Sequence, residues 1–236
     1  MDISSRNILI FDIETVGDVF EELPENVRSY LTRYANTEDK KSEIIESMVF
    51  NPLTSKIAAI GMMDYGTGKG CIMVNGENGL ELKCNHENFN YITGSEIELI
   101  KKFWDVISAR QYNLFVTFNG REFDCPFIMI RSIFHRMKPP VNLMRSSDWN
   151  FREYHIDLLK ELTFYTHSGK GARRKFNLDF YCQKFGIKSP KADGVTGDMV
   201  SKLYAEKKYQ EIADYCIGDV LAECELFRFW NEYFNI

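Results

Sequence analysis

The sequence predicts an α/β fold, a β-sheet flanked by α-helices, on three observations. Short apolar runs of strand length alternate with amphipathic helical stretches, a glycine turn joins two of those runs, and the first run ends in paired acids. That first run is Asn7-Ile-Leu-Ile-Phe-Asp12-Ile-Glu14-Thr15. Its apolar stretch is short and rich in β-branched and aromatic residues, which favours an interior strand over a helix. Residues two apart on a strand share a face, so Asp12 and Glu14 point the same way. Two like charges on one buried face repel, unless a hard divalent cation with oxygen ligands stabilises both in ionised form. On Asp-x-Glu alone, an exposed strand end with two solvated acids is an equally good reading.

The elements that follow support the class. Residues 20–48 are charged, poor in glycine and helix-friendly, with Pro24 placed near a helix start, and they read as a helical insertion. Two apolar runs, residues 56–65 and 70–74, flank Gly66-Thr-Gly-Lys and form an antiparallel hairpin. Residues 75–93 are polar and read as turns. Ser95-Glu-Ile-Glu98 is a capping-box pattern, and Ile97, Ile100, Phe103, Trp104 and Ile107 follow at helical spacing. Residues 114–118 form another strand, with a helix over about 124–137. Pro139-Pro140 then breaks the chain. A last short strand is expected at 155–159, and helices near 178–185, 198–206 and 209–233. No repeat or linker divides the 236 residues, so one domain over residues 1–236 is the simpler organisation.

Composition narrows the function classes. A net charge of −5 argues against a protein that coats nucleic acid through overall positive charge, but leaves room for a local basic groove. The six cysteines are dispersed and lack a Cys-x-x-Cys pair, which points to free thiols in a reducing compartment and away from zinc. No apolar stretch reaches the roughly 20 residues of a membrane span, and the N-terminus lacks a secretory layout. The expectation is a cytoplasmic protein with no membrane partner.

Two further segments carry chemistry. In Phe118-Asn119-Gly120-Arg-Glu-Phe123-Asp124 a strand runs into a glycine turn, and an acid arrives at the start of a helix, where the dipole favours a carboxylate. Taken alone, Asp124 reads as a cap. In Tyr215-Cys-Ile-Gly218-Asp219 the phenol and the carboxylate are four residues apart and face one direction on a helix. Alone, that pair reads as a surface contact.

Together, Asp12-x-Glu14, Phe118-Asn119-Gly120-x-x-Phe123-Asp124 and Tyr215-x-x-x-Asp219 resemble the three exonuclease motifs of the DEDD superfamily, in order, spacing and flanking strand–helix context. The tyrosine marks its DEDDy branch. The resemblance covers nearly the whole chain and is closest to the proofreading exonuclease domain of family B DNA polymerases, specifically to the stand-alone polymerase-B-like exonucleases. His155-Ile-Asp157-Leu-Leu and Glu211-Ile-Ala-Asp-Tyr215 also look like that group. Gly218 stands where such motifs more usually carry a polar residue.

The resemblance implies a ribonuclease H-like mixed β-sheet flanked by helices. It implies that Asp12, Glu14, Asp124 and Asp219 hold two Mg²⁺ or Mn²⁺ ions, with Tyr215 orienting the nucleophilic water. Thr15, Asn119 and Phe123 are candidate substrate contacts, Phe123 by stacking on a base, although a core role is the stronger reading for Phe123. The basic run Lys170-Gly-Ala-Arg173-Arg174-Lys175 suits phosphate contacts or a solvated loop. His155 and Asp157 read as structural hydrogen-bonding residues, and His86, His135 and His167 show no ligand spacing. The implied activity is 3′-to-5′ exonucleolytic release of nucleoside 5′-monophosphates from single-stranded nucleic acid, with DNA favoured over RNA. A noncatalytic module that binds nucleic acid or a partner would be favoured by loss of a ligand, yet all four acids and the tyrosine are present.

Overall fold

The computed structural model describes residues 2–77, 79–145, 151–166, 168–188 and 197–235, which leaves His167 outside. β1 (Ile8–Gly17) is the sheet's inner strand, with β2 (Ser55–Asp64) antiparallel on one side. Between them lie α1 (Glu25–Thr32), α2 (Glu38–Ser47) and a 3₁₀ turn at Met48–Phe50. The turn at 66–69 leads into β3 (Gly70–Asn75), and β4 (Phe89–Gly94) then pairs parallel to β3. α3 (Glu96–Arg110) precedes β5 (Leu114–Thr117), which pairs parallel to β1 over Ile8–Ile10 only, and α4 (Asp124–Phe134) follows. β6 (His155–Asp157) closes the order β4-β3-β2-β1-β5-β6. The remaining helices are α5 (Leu158–Leu162), α6 (Leu178–Phe185), α7 (Val200–Ala205) and α8 (Tyr209–Tyr233).

Alternation along β1 sorts the helices into two layers. Leu9, Phe11 and Ile13 face a core with Phe103 and Ile107 of α3 and Phe127 and Ile128 of α4. Ile8, Ile10 and Val16 face the opposite core, with Leu203 of α7 and Ile212, Val220, Phe227 and Trp230 of α8. Even-numbered β1 residues therefore look toward α8, and Asp12 and Glu14 are among them. A bulge at Ala58 of β2, opposite the step from Glu14 to Thr15, shifts the register by one residue, while the alternation of β1 continues to Val16.

Helix α8 lies close on the sheet because Gly61 pairs with Asp12 across the β1/β2 ladder and has no side chain in the way. A methyl group at Gly61 would sit 2.5 Å from Val220 Cγ2 and 3.0 Å from Cys216 Sγ. Gly61→Ala is thus expected to cost about 1–3 kcal/mol, read as a lowered urea midpoint, and to displace the face of α8 that carries Asp219. A variant as stable as the parent would show that α8 has slack over β2.

Most expected elements form. Residues 75–93 depart from expectation, since β4 begins within them. Phe-Asn-Tyr-Ile-Thr-Gly mixes polar and apolar residues because β4 is an edge strand, with only Phe89 and Gly94 buried. The last strand is shorter than expected, because Leu158 already opens α5 under the Asp157 cap. α8 runs unbroken through Gly218, so that glycine does not distort the helix.

Candidate active site

The strand β1, the turn before α4 and the middle of α8 deliver five carboxylates and a phenol to one region. Oxygens of Asp12, Glu14 and Asp219 lie within 4.8 Å of one another, and among the described residues this is the one cluster that could hold a metal ion. The three sit on a cleft of about 1030 Å³, together with Thr15, Phe123, Tyr215 and Glu223. The cleft is also lined by the end of the inserted segment (Ile45 and Glu46), by the 3₁₀ turn that follows it (Val49 and Phe50) and by the start of α6 (Asn177 to Asp179).

Burial, then the charges of Asp124, Glu14, Glu223 and Asp219, raises the Asp12 carboxyl well above the usual range. Burial, then Asp219 and Asp124, does the same to Glu14, which also shares a hydrogen bond with Asp219. Carboxyls this close, with Glu14 and Asp219 buried and Asp12 half-buried, resist ionising together without a cation. The all-oxygen donor set suits a hard divalent ion such as Mg²⁺ or Mn²⁺.

Asp124 is placed differently. It is 3% exposed and does not line the cleft; its Oδ1 accepts the Ile13 N–H at 3.0 Å. The β1/β5 ladder stops at Ile10, and Asp124 takes up an amide beyond it, between the two acids of β1. Burial pushes its carboxyl up to about 7 against that hydrogen bond.

The turn that delivers Asp124 is held by residues of β5 and β6. Asp157 accepts the N–H groups of Asn119 and Arg121 at 3.0 Å each, and also caps α5 through Leu159 and Lys160. Asn119 takes the left-handed conformation, with φ 66°. Gly120 is needed for close approach, since a methyl group there would lie 2.2 Å from Thr117 Oγ1. His155 Nε2 meets Thr117 Oγ1 at 2.8 Å, and burial holds this imidazole down at about 3, so it is neutral. Both residues are structural here, as their sequence context indicates.

Tyr215 is 9% exposed and hydrogen-bonds Asp219 one turn along α8. Burial, followed by the charges of Glu14, Asp219 and Asp12, drives its phenol far above its ordinary value, so it remains protonated. Among the candidate substrate contacts, Thr15 and Phe123 line the cleft and Asn119 does not. The Thr15 hydroxyl is committed to Val49 O at 2.9 Å. Asn119 Oδ1 accepts from Lys175 Nζ at 2.9 Å, which brings the end of the basic loop beside the turn.

Two residues that the motifs did not reveal also belong to the site. Phe50, 67% exposed, meets the ring of Phe123 edge-on at 6.2 Å. Glu223, one turn beyond Asp219, is 1% exposed and accepts the Phe118 N–H at 2.9 Å. The i+4 spacing from Asp219 was its one sequence signal.

A six-stranded mixed sheet covered by helices, with acids from its central strand and its long C-terminal helix meeting in a cleft, defines a ribonuclease H-like α/β protein. The chain belongs to the family described as predicted 3′-5′ exonuclease related to the exonuclease domain of PolB, which it matches over residues 70–229. Asp124, Tyr215, Asp219 and Glu223 fall within that stretch, and Asp12 and Glu14 precede it. An uncharacterised protein of Methanocaldococcus jannaschii is 27% identical over 172 residues, which cover 72% of this chain and 77% of that protein. DNA polymerase 1 of Sulfurisphaera ohwakuensis is 32% identical over 91 residues, or 36% of this chain and 10% of the polymerase. The family B DNA polymerase of the archaeon Pyrobaculum calidifontis superposes with a TM-score of 0.60 at 14% identity. That superposition covers 96% of this chain and 24% of the polymerase. No helix among the described residues is long and apolar enough to cross a membrane.

Proposed function

We propose that this protein is a divalent-metal-dependent 3′-to-5′ exonuclease that hydrolyses the terminal phosphodiester of single-stranded nucleic acid, DNA in preference to RNA, and releases nucleoside 5′-monophosphates. The observation that carries the reading is the Asp12–Glu14–Asp219 oxygen cluster with Tyr215 beside it in a large cleft, in a chain of this family. Asp12, Glu14 and Asp219, with Asp124 behind them, hold the cations. Two Mg²⁺ or Mn²⁺ ions bound there supply stabilisation of the attacking and leaving oxygens in an in-line displacement.

The protein's own groups do the rest. Tyr215 keeps its proton and donates it in a hydrogen bond to Asp219, so its phenol oxygen accepts a hydrogen bond from the attacking water and orients it rather than acting as a general base. Its donation to Asp219 fixes the ring for that task. Phe123 and Phe50 offer an aromatic edge at the cleft on which a terminal base can stack. Arg173, Arg174 and Lys175 are exposed near the turn and suit phosphate contacts without sequence reading.

The test is degradation of 5′-labelled single-stranded DNA and RNA of one sequence, in Mg²⁺, Mn²⁺ or EDTA. A ladder shortening from the 3′ end, abolished by EDTA and faster on DNA, is the expected result. Absence of cleavage of either strand in any metal, by protein of native circular dichroism, would overturn the reading.

A further inference from the structure

In a chain of net charge −5, one stretch beside the cleft is strongly basic. Residues 168–188 carry six lysines or arginines and a single acid, Asp179. These basic side chains are exposed, and the start of α6, from Asn177 to Asp179, belongs to the cleft lining.

Two of the cations are held by rings. Phe176 and Phe180 stack with centroids 4.2 Å apart and an interplanar angle of 13°, which closes one face of each ring. Arg174 lies over Phe176 at 4.9 Å from its centroid, and Lys184 over Phe180 at 5.5 Å. Both distances are within reach of a cation–π attraction. The order is therefore cation, ring, ring, cation. Phe176, Phe180 and Lys184 follow at intervals of four residues, so the row runs along one side of α6, away from the cleft. Phe180 is 37% exposed, and neither Arg174 nor Lys184 has an acidic partner among the described residues. Unpaired cations held in a row match a polyanion with regularly spaced charges. Lys184 lies about 10 Å along the helix from Asn177, a span of about three phosphates at the spacing of a stacked strand.

We propose that the Arg174–Phe176–Phe180–Lys184 row is a track for the phosphate backbone of a single strand whose 3′ end occupies the cleft. Its occupant rests on the exonuclease reading above. The rings fix the cations rather than stack on bases, because the outer face of each is already covered.

Fluorescence anisotropy of a labelled single strand of about 12 nucleotides, in EDTA, tests the track without cleavage. The parent would be compared with Lys184→Glu, with Phe180→Leu, which removes the ring under Lys184 and keeps its charge, and with Lys101→Glu. Lys101→Glu makes the same charge change on the exposed side of α3, in the opposite layer. The expected result is binding weakened about fivefold or more by Lys184→Glu, with the salt dependence reduced by about one phosphate contact. Phe180→Leu should weaken binding in the same direction, and Lys101→Glu should leave it within about twofold of the parent. Parent affinity in either track variant of native circular dichroism, equal weakening by Lys101→Glu, or a parent that does not bind would each overturn the track. The 3′ ladder assay decides the exonuclease reading separately, so the two can fail independently.

Discussion

Replacing Asp12 by asparagine is expected to lower hydrolysis roughly 10³-fold or more and, at the same time, to raise the melting temperature of the metal-free protein. The two effects share one cause. Asp12 sits where β1, α8 and the α4 turn converge, and the charges of Asp124, Glu14, Glu223 and Asp219 all oppose its ionisation. Asparagine fills nearly the same volume, so packing against Gly61 and α8 is preserved while the charge is lost. Metal-free protein is relieved of repulsion among buried acids, a gain of about 1 kcal/mol, or roughly 2–4 °C for a chain of this length. The metal-loaded protein loses one of the three clustered oxygen donors. Rates on labelled single-stranded DNA and melting curves in EDTA would be measured on the same preparations. A variant that melts lower in EDTA would show that Asp12 is held by a partner rather than repelled by its neighbours. Full activity would remove it from the site.

The fold was largely legible because its main elements carry strong local signals. β1 announces itself by a pure apolar run ending in spaced acids. α3 does so by Ser95, whose N–H is accepted by Glu98 at 2.8 Å, as the capping pattern requires. α6 and α8 fall at residues 178–185 and 209–233 in sequence and structure alike. What was hidden depends on long-range packing. β4 is a strand because β3 offers it an edge, and its own residues carry no clean alternation. The helix expected over 198–206 is split into a 3₁₀ turn at Gly197–Met199 and α7, a boundary that no residue type marks.

The site shows the same division. Asp12 and Glu14 share a face because strands alternate, and Tyr215 and Asp219 because helices repeat every four residues; both follow from local geometry. Only its i+4 spacing from Asp219 sets Glu223 apart from its neighbour Glu225, which is exposed on the same helix. Only the docking of α8 on the sheet buries one and not the other. Phe50 follows a long insertion, and its meeting with Phe123 depends on how α2 and the 3₁₀ turn fold back over the strand. The Thr15 hydroxyl and the Asn119 amide, both candidate substrate contacts, are bonded to Val49 O and Lys175 respectively. Sequence shows that such groups exist; their existing partners appear only in three dimensions.

The second large effect is a stability that falls with rising pH when metal is absent and ceases to fall when metal is present. Burial pushes the Asp124 carboxyl from 3.8 up to about 7, and Asp12, Glu14 and Glu223 are raised well above their ordinary values, each first by burial and then by neighbouring acids. Groups raised on folding hold protons more tightly in the native state than in the unfolded one. Their stabilisation is fully present below the unfolded values and is lost as pH rises through the folded ones. Each such carboxyl contributes a slope of up to about 1.4 kcal/mol per pH unit. His155 works in the opposite direction, because burial lowers it to about 3 and its unfolded form gains a proton below about 6.5. Buried thiols add their own loss only as pH approaches their unfolded value near 9. Between pH 6.5 and 8 the carboxyls therefore dominate. Urea midpoints in EDTA should fall across that interval. With saturating Mn²⁺ the midpoints should stay level or rise, since the ion takes the place of the protons and competes better as they leave. The gap between the two curves should widen with pH, and parallel curves would mean that these acids and the ion do not share a site.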